Sequence, residues 1–432
     1  MLVLWQWNKF GKFPLLGPQN SVLPLNQSSW YFYILYPGFL LFSAQPISAN
    51  YTLATLYIVA FMSGLWLFRK ERGMRGLLMI SFFLVSIHPQ FVAQNRTVSN
   101  PSFVGLFLMI SIISFARWLD EGKMRFLFVY AFALALAVSF SYSAAPVLLA
   151  TFIYVMFTRR KIILKTALMI IVSLMFINLT TLAFEAKHNF LILRNLLSRG
   201  IRVQNIENIS INSRLGDFVN YGFSLGSGKT NLIAVISLAV LVAIALFSKK
   251  TPVLSKRLGI LLSLTFILSL VLPTQIFPHY IFGFTTLLFL FIASLPSLIS
   301  LPIVCLLIFL YLGPIQVASY FAPSPRSVGQ MESCFKKVCQ EFKEPMYVTV
   351  QANFHPYHTG PEHRFLMKKM GCEVKNIEDA SQTASIMSVV LDGSDYISGK
   401  TVFSELSTFG KASELKRFSC LPNFGVVVLK KE

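Results

Sequence analysis

The chain has 432 residues, of which 55% are hydrophobic and 13% charged, with 41 phenylalanines and a formal net charge of +20. Soluble domains carry about a quarter charged residues; this composition makes lipid the solvent and excludes an ordinary soluble enzyme. The basic excess does not indicate nucleic acid, because it falls in short joins between apolar runs, where orientation in a bilayer accounts for it.

The first residues contain Trp, Asn and Lys but no continuous apolar core, so no cleavable signal peptide is legible. Residues 11–18 (GKFPLLGP) read as an irregular loop set by Gly and Pro. Residues 30–42 (WYFYILYPGFLLF) are apolar enough to cross, yet a crossing here would invert every later span. They are therefore expected to lie as an aromatic helix in the outer interface, kinked at Pro37.

Ten spans are expected at 50–68, 76–93, 102–118, 126–141, 143–157, 163–184, 231–247, 257–273, 279–297 and 299–320, by the rule of about 17–25 apolar residues each. The run 126–157 is too long for one span and short for two, and Ser139, Ser141, Tyr142 and Ser143 at its middle argue for a tight reversal. The joins at 69–75, 117–125, 158–165 and 249–257 are rich in Lys and Arg, whereas the alternate joins near 95, 142 and 276 hold only Arg96. That asymmetry assigns the first set to the cytoplasm. One polar face on the opposite side then gathers the unusual residues.

Prominent on that face is the stretch 88–101 (HPQFVAQNRTVSNP), whose Arg96 is the only charge between Arg75 and Arg117. A lone cation flanked by Asn95 and Asn100 suits an anionic headgroup such as a lipid phosphate. The plainer alternative is a polar turn whose arginine snorkels to lipid. The loop 185–230 follows later, with a basic helical pattern at 189–202, and its length favours a functional lid over a connector. Its GSGKT at 226–230 is not a phosphate loop, because Phe223 stands where the first Gly is needed.

Beyond about residue 322 charge returns. Strands are expected at 346–352, 386–391 and 424–430 and a helix at 361–371, giving a small α/β domain. Its Cys334, Cys339, Cys372 and Cys420 fit up to two disulfides in an extracytoplasmic setting, with three connectivities open. The organisation is thus an outer-face loop and interfacial helix (1–49), a transmembrane helical domain (50–320) and an extracytoplasmic α/β domain (321–432).

The order of GKFPLLGP, an aromatic WYFY helix, a first span with a basic loop, and then NRTVSNPS resembles the polytopic C-type (GT-C fold) glycosyltransferases. Within these, it resembles the dolichyl-phosphate-mannose-protein mannosyltransferase and aminoarabinose-transferase-like enzymes of bacteria. The paired spans around Tyr142, a Pro-His-Tyr turn opening a late span, and a terminal α/β domain extend the resemblance over essentially the whole chain. It implies transfer of a sugar from a polyprenyl-phosphate donor to a lipid, glycan or protein acceptor, in a bacterial inner membrane. Chemically, a phosphate leaving group wants cationic and amide partners, and an acceptor hydroxyl wants a carboxylate. The resemblance implies that Asn95 and Arg96, with Asn100, border the donor phosphate. Gly17, Pro18, Tyr31 and Tyr33 would border the sugar, with His279 and Tyr280 closing the pocket and Tyr142 a further substrate-binding candidate. For each of these residues the alternative is a structural role, such as interfacial anchoring.

The family pattern also has an initial span and an acidic residue before the Gly-Pro element. Here Met1 stands only a short way before Gly17, and the first acid is Glu71, on the cytoplasmic side. The expectation is either a piece of a longer enzyme or a non-catalytic relative that binds a glycolipid. The outer acids Glu185, Glu207 and Asp217 do not occupy the family position, so the catalytic residue is unassigned. A divalent cation is a candidate cofactor with weak carboxylate candidates. A lipid-linked-sugar transporter is the third reading, and the scarcity of ionisable residues within the spans counts against it. Asn-X-Ser/Thr sequons stand at Asn26, Asn50, Asn95 and Asn208.

Overall fold

The computed structural model describes residues 2–18, 26–42, 45–96, 98–194, 211–223, 230–271, 278–313, 326–352, 360–375, 384–393 and 409–432. The chain forms two compact units, one of Phe13–Phe321 and one joining Met1–Lys12 to Ala322–Glu432. The second unit claims the N-terminal residues, which fold as helix α1 (Leu2–Phe10), with Trp5 packed against that unit's core. An outer-face loop was expected there.

The first unit is helical. Helices α2 (Trp30–Leu41), α3 (Ser48–Leu67), α4 (Arg72–Ile87) and α5 (Pro89–Arg96) are followed by α6 (Val104–Glu121), α7 (Met124–Phe140) and α8 (Ala145–Thr158). Next come α9 (Ile163–Ile177), α10 (Leu179–Lys187), α11 (Ile211–Phe223), α12 (Thr230–Phe247), α13 (Val253–Val271), α14 (Phe282–Ser294) and α15 (Ser297–Tyr311). Among the described residues, three stretches are long and apolar enough to cross a membrane: Ser48–Leu67, Asn100–Glu121 and Val253–Val271. Two bent pairs, α4 with α5 (64°) and the helix ending at Ile177 with α10 (63°), raise that to five. The other sequence-read spans form shorter apolar helices, because the chain breaks where polar residues interrupt it. The run expected at 76–93 ends at His88, since Pro89 has no N–H to continue the ladder. The run at 163–184 bends at Asn178, whose amide donates back to the Leu174 carbonyl at 2.9 Å.

The expected reversal at residue 141 is present. Tyr130 and Thr151 lie at similar distances on either side of it, and their hydroxyls are 2.6 Å apart, so α7 and α8 run back along one another. Most residues of Asn100–Glu121, the stretch that contains α6, are buried, whereas few of those of α3 are. Ile58, Val59, Met62 and Trp66 on α3, and Leu168, Ile171, Val172 and Met175 on α9, are exposed. Apolar surface this continuous is covered by lipid or partner in a stable protein.

The two ends of this unit differ in chemistry. At one end Glu71 pairs with Arg117, Glu121 with Arg117 and Lys123, and Asp120 with Arg257, tying the Lys/Arg-rich joins together. The opposite end holds amides, hydroxyls and His279. Helix α2 belongs to that polar end along its length. Tyr31 near its start donates to the Val98 carbonyl at 3.2 Å, and Phe42 just past its end contacts Tyr51 with ring centroids 5.0 Å apart. Twelve residues span only about 18 Å, short of the roughly 30 Å hydrocarbon core. The helix continues through Pro37.

The second unit is a four-stranded sheet in the order β1-β2-β4-β3, built from β1 (Met346–Ala352), β2 (Ile386–Asp392), β3 (Ala412–Leu421) and β4 (Phe424–Lys431). β1 and β2 are parallel, with Met346 opposite Ile386, while β4 runs antiparallel to both of its neighbours. Helices α16 (Val328–Glu341) and α17 (Pro361–Lys369) cover one face, burying Phe335, Val338, Phe365 and Leu366 against Val348, Val390 and Val426. Disulfides join Cys334 to Cys420 and Cys339 to Cys372, selecting one of the three open connectivities.

Candidate functional site

The polar end of the helical unit is assembled from segments far apart in sequence. Three of its helices are entered through 3-10 turns, and each turn carries a candidate residue. Asn100–Phe103 leads into α6, Tyr142–Ala144 into α8 and Pro278–Ile281 into α14. Helix N-termini carry a partial positive charge suited to anions, and two of these three are already capped from within, by the Ser99/Ser102 capping box and by Ser141 Oγ accepting from Ser143 N–H.

Hydrogen bonds link these turns to the neighbouring segments. Gly17 N–H donates to the Gln27 carbonyl at 3.0 Å and Gln27 N–H to the Pro18 carbonyl at 2.9 Å, clamping the two sides of the N-terminal loop. A Cβ at Gly17 would collide with the main-chain oxygens of Ser28 and Gln27, so this approach requires glycine. Tyr142 donates to the Asn26 carbonyl at 3.4 Å, and Ser143 Oγ to the His279 carbonyl at 3.4 Å. The Asn100 amide donates to the Phe140 carbonyl at 3.3 Å, and Ser28 Oγ to the Ile177 carbonyl at 2.8 Å. Both acceptors are last-turn carbonyls that would otherwise lack a partner. On the other flank Asn50 donates to the Asn95 carbonyl at 2.8 Å and the Arg96 carbonyl at 3.1 Å.

Gly17, Pro18, Tyr31, Asn95, Arg96, Asn100, Tyr142 and His279 thus belong to one connected polar end. Tyr280 joins them through an edge contact with His279, 4.6 Å between ring centroids. Tyr33 instead faces the N-terminal segment, donating to the Pro14 carbonyl at 2.6 Å and stacking on Phe13 at 4.9 Å. Arg96 is exposed and ends α5, where the helix dipole favours a cation. The amides of Asn26 and Asn50 both donate within the protein, the former to the Gly17 carbonyl at 3.1 Å, which opposes glycan attachment at either.

The acids at this end divide clearly. Glu185 is buried, and its two carboxylate oxygens accept the main-chain N–H groups of Ile192 (2.9 Å) and Leu193 (3.0 Å), capping the next helical turn. The basic pattern at 189–202 therefore begins later than expected: Asn189 and Phe190 have positive φ, and the helix starts at 191. Its residues 195–202, like Glu207, Asn208 and most of the GSGKT segment, lie outside the described residues.

Asp217 sits on α11, a helix not anticipated from the sequence although Leu215, Phe218, Val219 and Gly222 give it an i, i+3, i+4, i+7 stripe. Phe218 and Val219 are buried, and Gly222 packs on Phe284 and Ile281 beside the His279 turn. The Gly222 carbonyl lies 3.3 Å from His88 Nε2. Partial burial raises the Asp217 carboxyl above its ordinary range. The nearby Tyr221 hydroxyl is raised by burial and then by the Asp217 charge. No group of three or more His, Cys, Asp or Glu side chains is assembled among the described residues.

Comparison with known proteins finds no match to the chain among family models, curated proteins or solved structures.

Proposed function

We propose that the protein is an integral membrane glycosyltransferase that moves a sugar from a polyprenyl-phosphate donor to a lipid, glycan or protein acceptor. In this reading the helical unit crosses a bacterial inner membrane in about ten passes with its basic end in the cytoplasm, and the polar end and C-terminal domain are extracytoplasmic. The Lys/Arg asymmetry and exposed apolar helix faces support the embedding. Two disulfides in the C-terminal unit support an oxidising compartment for it.

The observation that carries the reading is the convergence of three helix N-termini on the polar end, beside the terminal cation of α5. A phosphate leaving group is stabilised by such dipoles and by an arginine, and the amides at the same end serve the sugar hydroxyls. Asp217 is the acid at this end, among the described residues, whose carboxylate is not committed to a helix cap. Its raised proton affinity makes it the stronger base for an acceptor hydroxyl.

The test is reconstitution of the full chain in vesicles with a radiolabelled polyprenyl-phosphate sugar. Transfer of label to a lipid or peptide fraction, abolished by Arg96→Ala, supports the reading. Persistent absence of transfer with mannose, glucose and aminoarabinose donors contradicts it. Donor retention without turnover would favour the second reading, a glycolipid-binding protein, for which the commitment of Glu185 to a helix cap speaks.

A further inference from the structure

The C-terminal unit carries a surplus of positive charge where α1 packs against α17. Residues 1–12 and 361–375 hold six Lys and Arg against two acids. The nearby carboxylates are already engaged: Glu332 with Lys369 at 2.7 Å, Glu373 with Lys375 at 2.6 Å, and Glu362 beside His363 at 4.0 Å. Arg364 and Lys368 are four residues apart on α17 and so share a face. Arg364 is buried, its Nε donating to the Val348 carbonyl at 3.0 Å. Burial first, then the positive charges of Arg364, Lys12 and Lys375, hold the Lys368 ammonium below its ordinary range. Gathering like charges costs energy, and an anion placed among them relieves it.

What lies beside these cations points to a membrane surface as the source of the anion. Leu4 is buried and Trp5 packs on the core of this unit, whereas Asn8, Lys9 and Phe10 at the end of α1 are exposed. The Phe10 ring is 55% exposed, with Lys9 Nζ 5.5 Å and Lys12 Nζ 6.0 Å from its centroid. A soluble anion has no use for an aromatic ring standing in water. At a bilayer the ring enters the headgroup layer while the ammonium groups meet the phosphates. The chain runs from Lys12 directly into the helical unit, with its exposed apolar helix faces, so an anionic bilayer is the polyanion at hand.

We propose that Lys9, Phe10, Lys12 and Lys368 form a docking surface for anionic phospholipid headgroups, which seats the α/β domain on the bilayer. The inference rests on membrane embedding and not on sugar transfer. The test is lysine acetylation footprinting of the full chain, read by mass spectrometry, in nanodiscs of phosphatidylcholine alone and of equal parts phosphatidylcholine and phosphatidylglycerol. Recovery of the chain with either nanodisc checks the embedding separately. Acetylation of Lys12 and Lys368 is expected to slow about fivefold in the anionic nanodiscs, the effect of one ammonium at such a surface, and to recover in about 1 M salt. Lys416 on β3, paired with Glu341, serves as the unaffected control. Phe10→Ser, at an exposed position, is expected to weaken the protection without unfolding the domain. Equal rates in the two nanodiscs, equal slowing at Lys416, or the same protection from inorganic phosphate in phosphatidylcholine nanodiscs overturns the proposal.

Discussion

The side-chain amide of Asn50, in the first turn of α3, reaches across 45 residues to donate to the main-chain carbonyl of Asn95 at 2.8 Å. The same nitrogen reaches the Arg96 carbonyl, so one asparagine fixes the end of the helix that carries the proposed phosphate contact. Asn50→Ala leaves two carbonyls short of a donor and is expected to lower stability by about 1–2 kcal/mol. Thermal unfolding in micelles measures this. Donor affinity should fall with it, because the arginine loses its fixed base.

The interfacial helix depends on a glycine in a different way. A Cβ at Gly38 would collide with the Thr52 side chain on α3, whereas at Gly17 the obstacle is backbone. Gly38→Ala is expected to cost about 1–3 kcal/mol by overpacking. Thr52→Ala in the same chain should recover most of that loss, a coupling visible in a double-mutant cycle. Gly17→Ala should show no such rescue by any side-chain truncation.

If Asp217 takes the acceptor's proton, it must be ionised to work. Burial raises its proton affinity, so the acid limb of a transfer profile should lie above the pH at which an unperturbed aspartate titrates, about 3.9. The sign for stability is the reverse. The folded state holds the proton more tightly, so burying the charge costs stability above the unfolded pKa, and that cost disappears as pH falls. Asp217→Asn should therefore reduce transfer by about 10²-fold or more while leaving the melting temperature at pH 7 unchanged or raised. Normal transfer by the variant would remove Asp217 from this role.

The disulfides close loops of 86 and 33 residues by sequence separation. Each is expected to contribute about 4 kcal/mol through the unfolded state of the C-terminal unit. Replacing Cys339 and Cys372 together by Ser should make that unit more sensitive to limited proteolysis. The other cystine should survive, visible as a mobility shift on reduction.

Much of this architecture is legible in the sequence because it rests on strong local patterns. The strand expected at 346–352 has the boundaries of β1, since MYVTVQA is a β-rich run between polar breaks. Separation of basic from amide-rich joins is a property of composition, and it reappears as the two ends of the helical unit. What stayed hidden depends on tertiary partners. β3 (ASELKRFSCL) is polar on both sides over most of its length and forms only because β4 supplies its hydrogen bonds. The helix at 328–341 had a usable signal, the Ser327/Gln330 capping box ahead of Phe335 and Val338. At the site, residue types and neighbourhood could be read, but side-chain direction could not. Tyr31 and Tyr33 are two residues apart on one helix, and one joins the polar end while the other serves the N-terminal segment. Nor does any local pattern reveal that Glu185 is consumed as a cap.

The central claim is that the polar end holds a lipid-borne phosphate through Arg96. Native mass spectrometry of the full chain released from micelles, titrated with polyprenyl phosphate carrying no sugar, tests it without requiring turnover. The account predicts a one-to-one adduct that Arg96→Ala weakens by about 10-fold or more, the effect of losing a charge-assisted hydrogen bond. An adduct of equal strength in wild type and variant, or none in either, would contradict it.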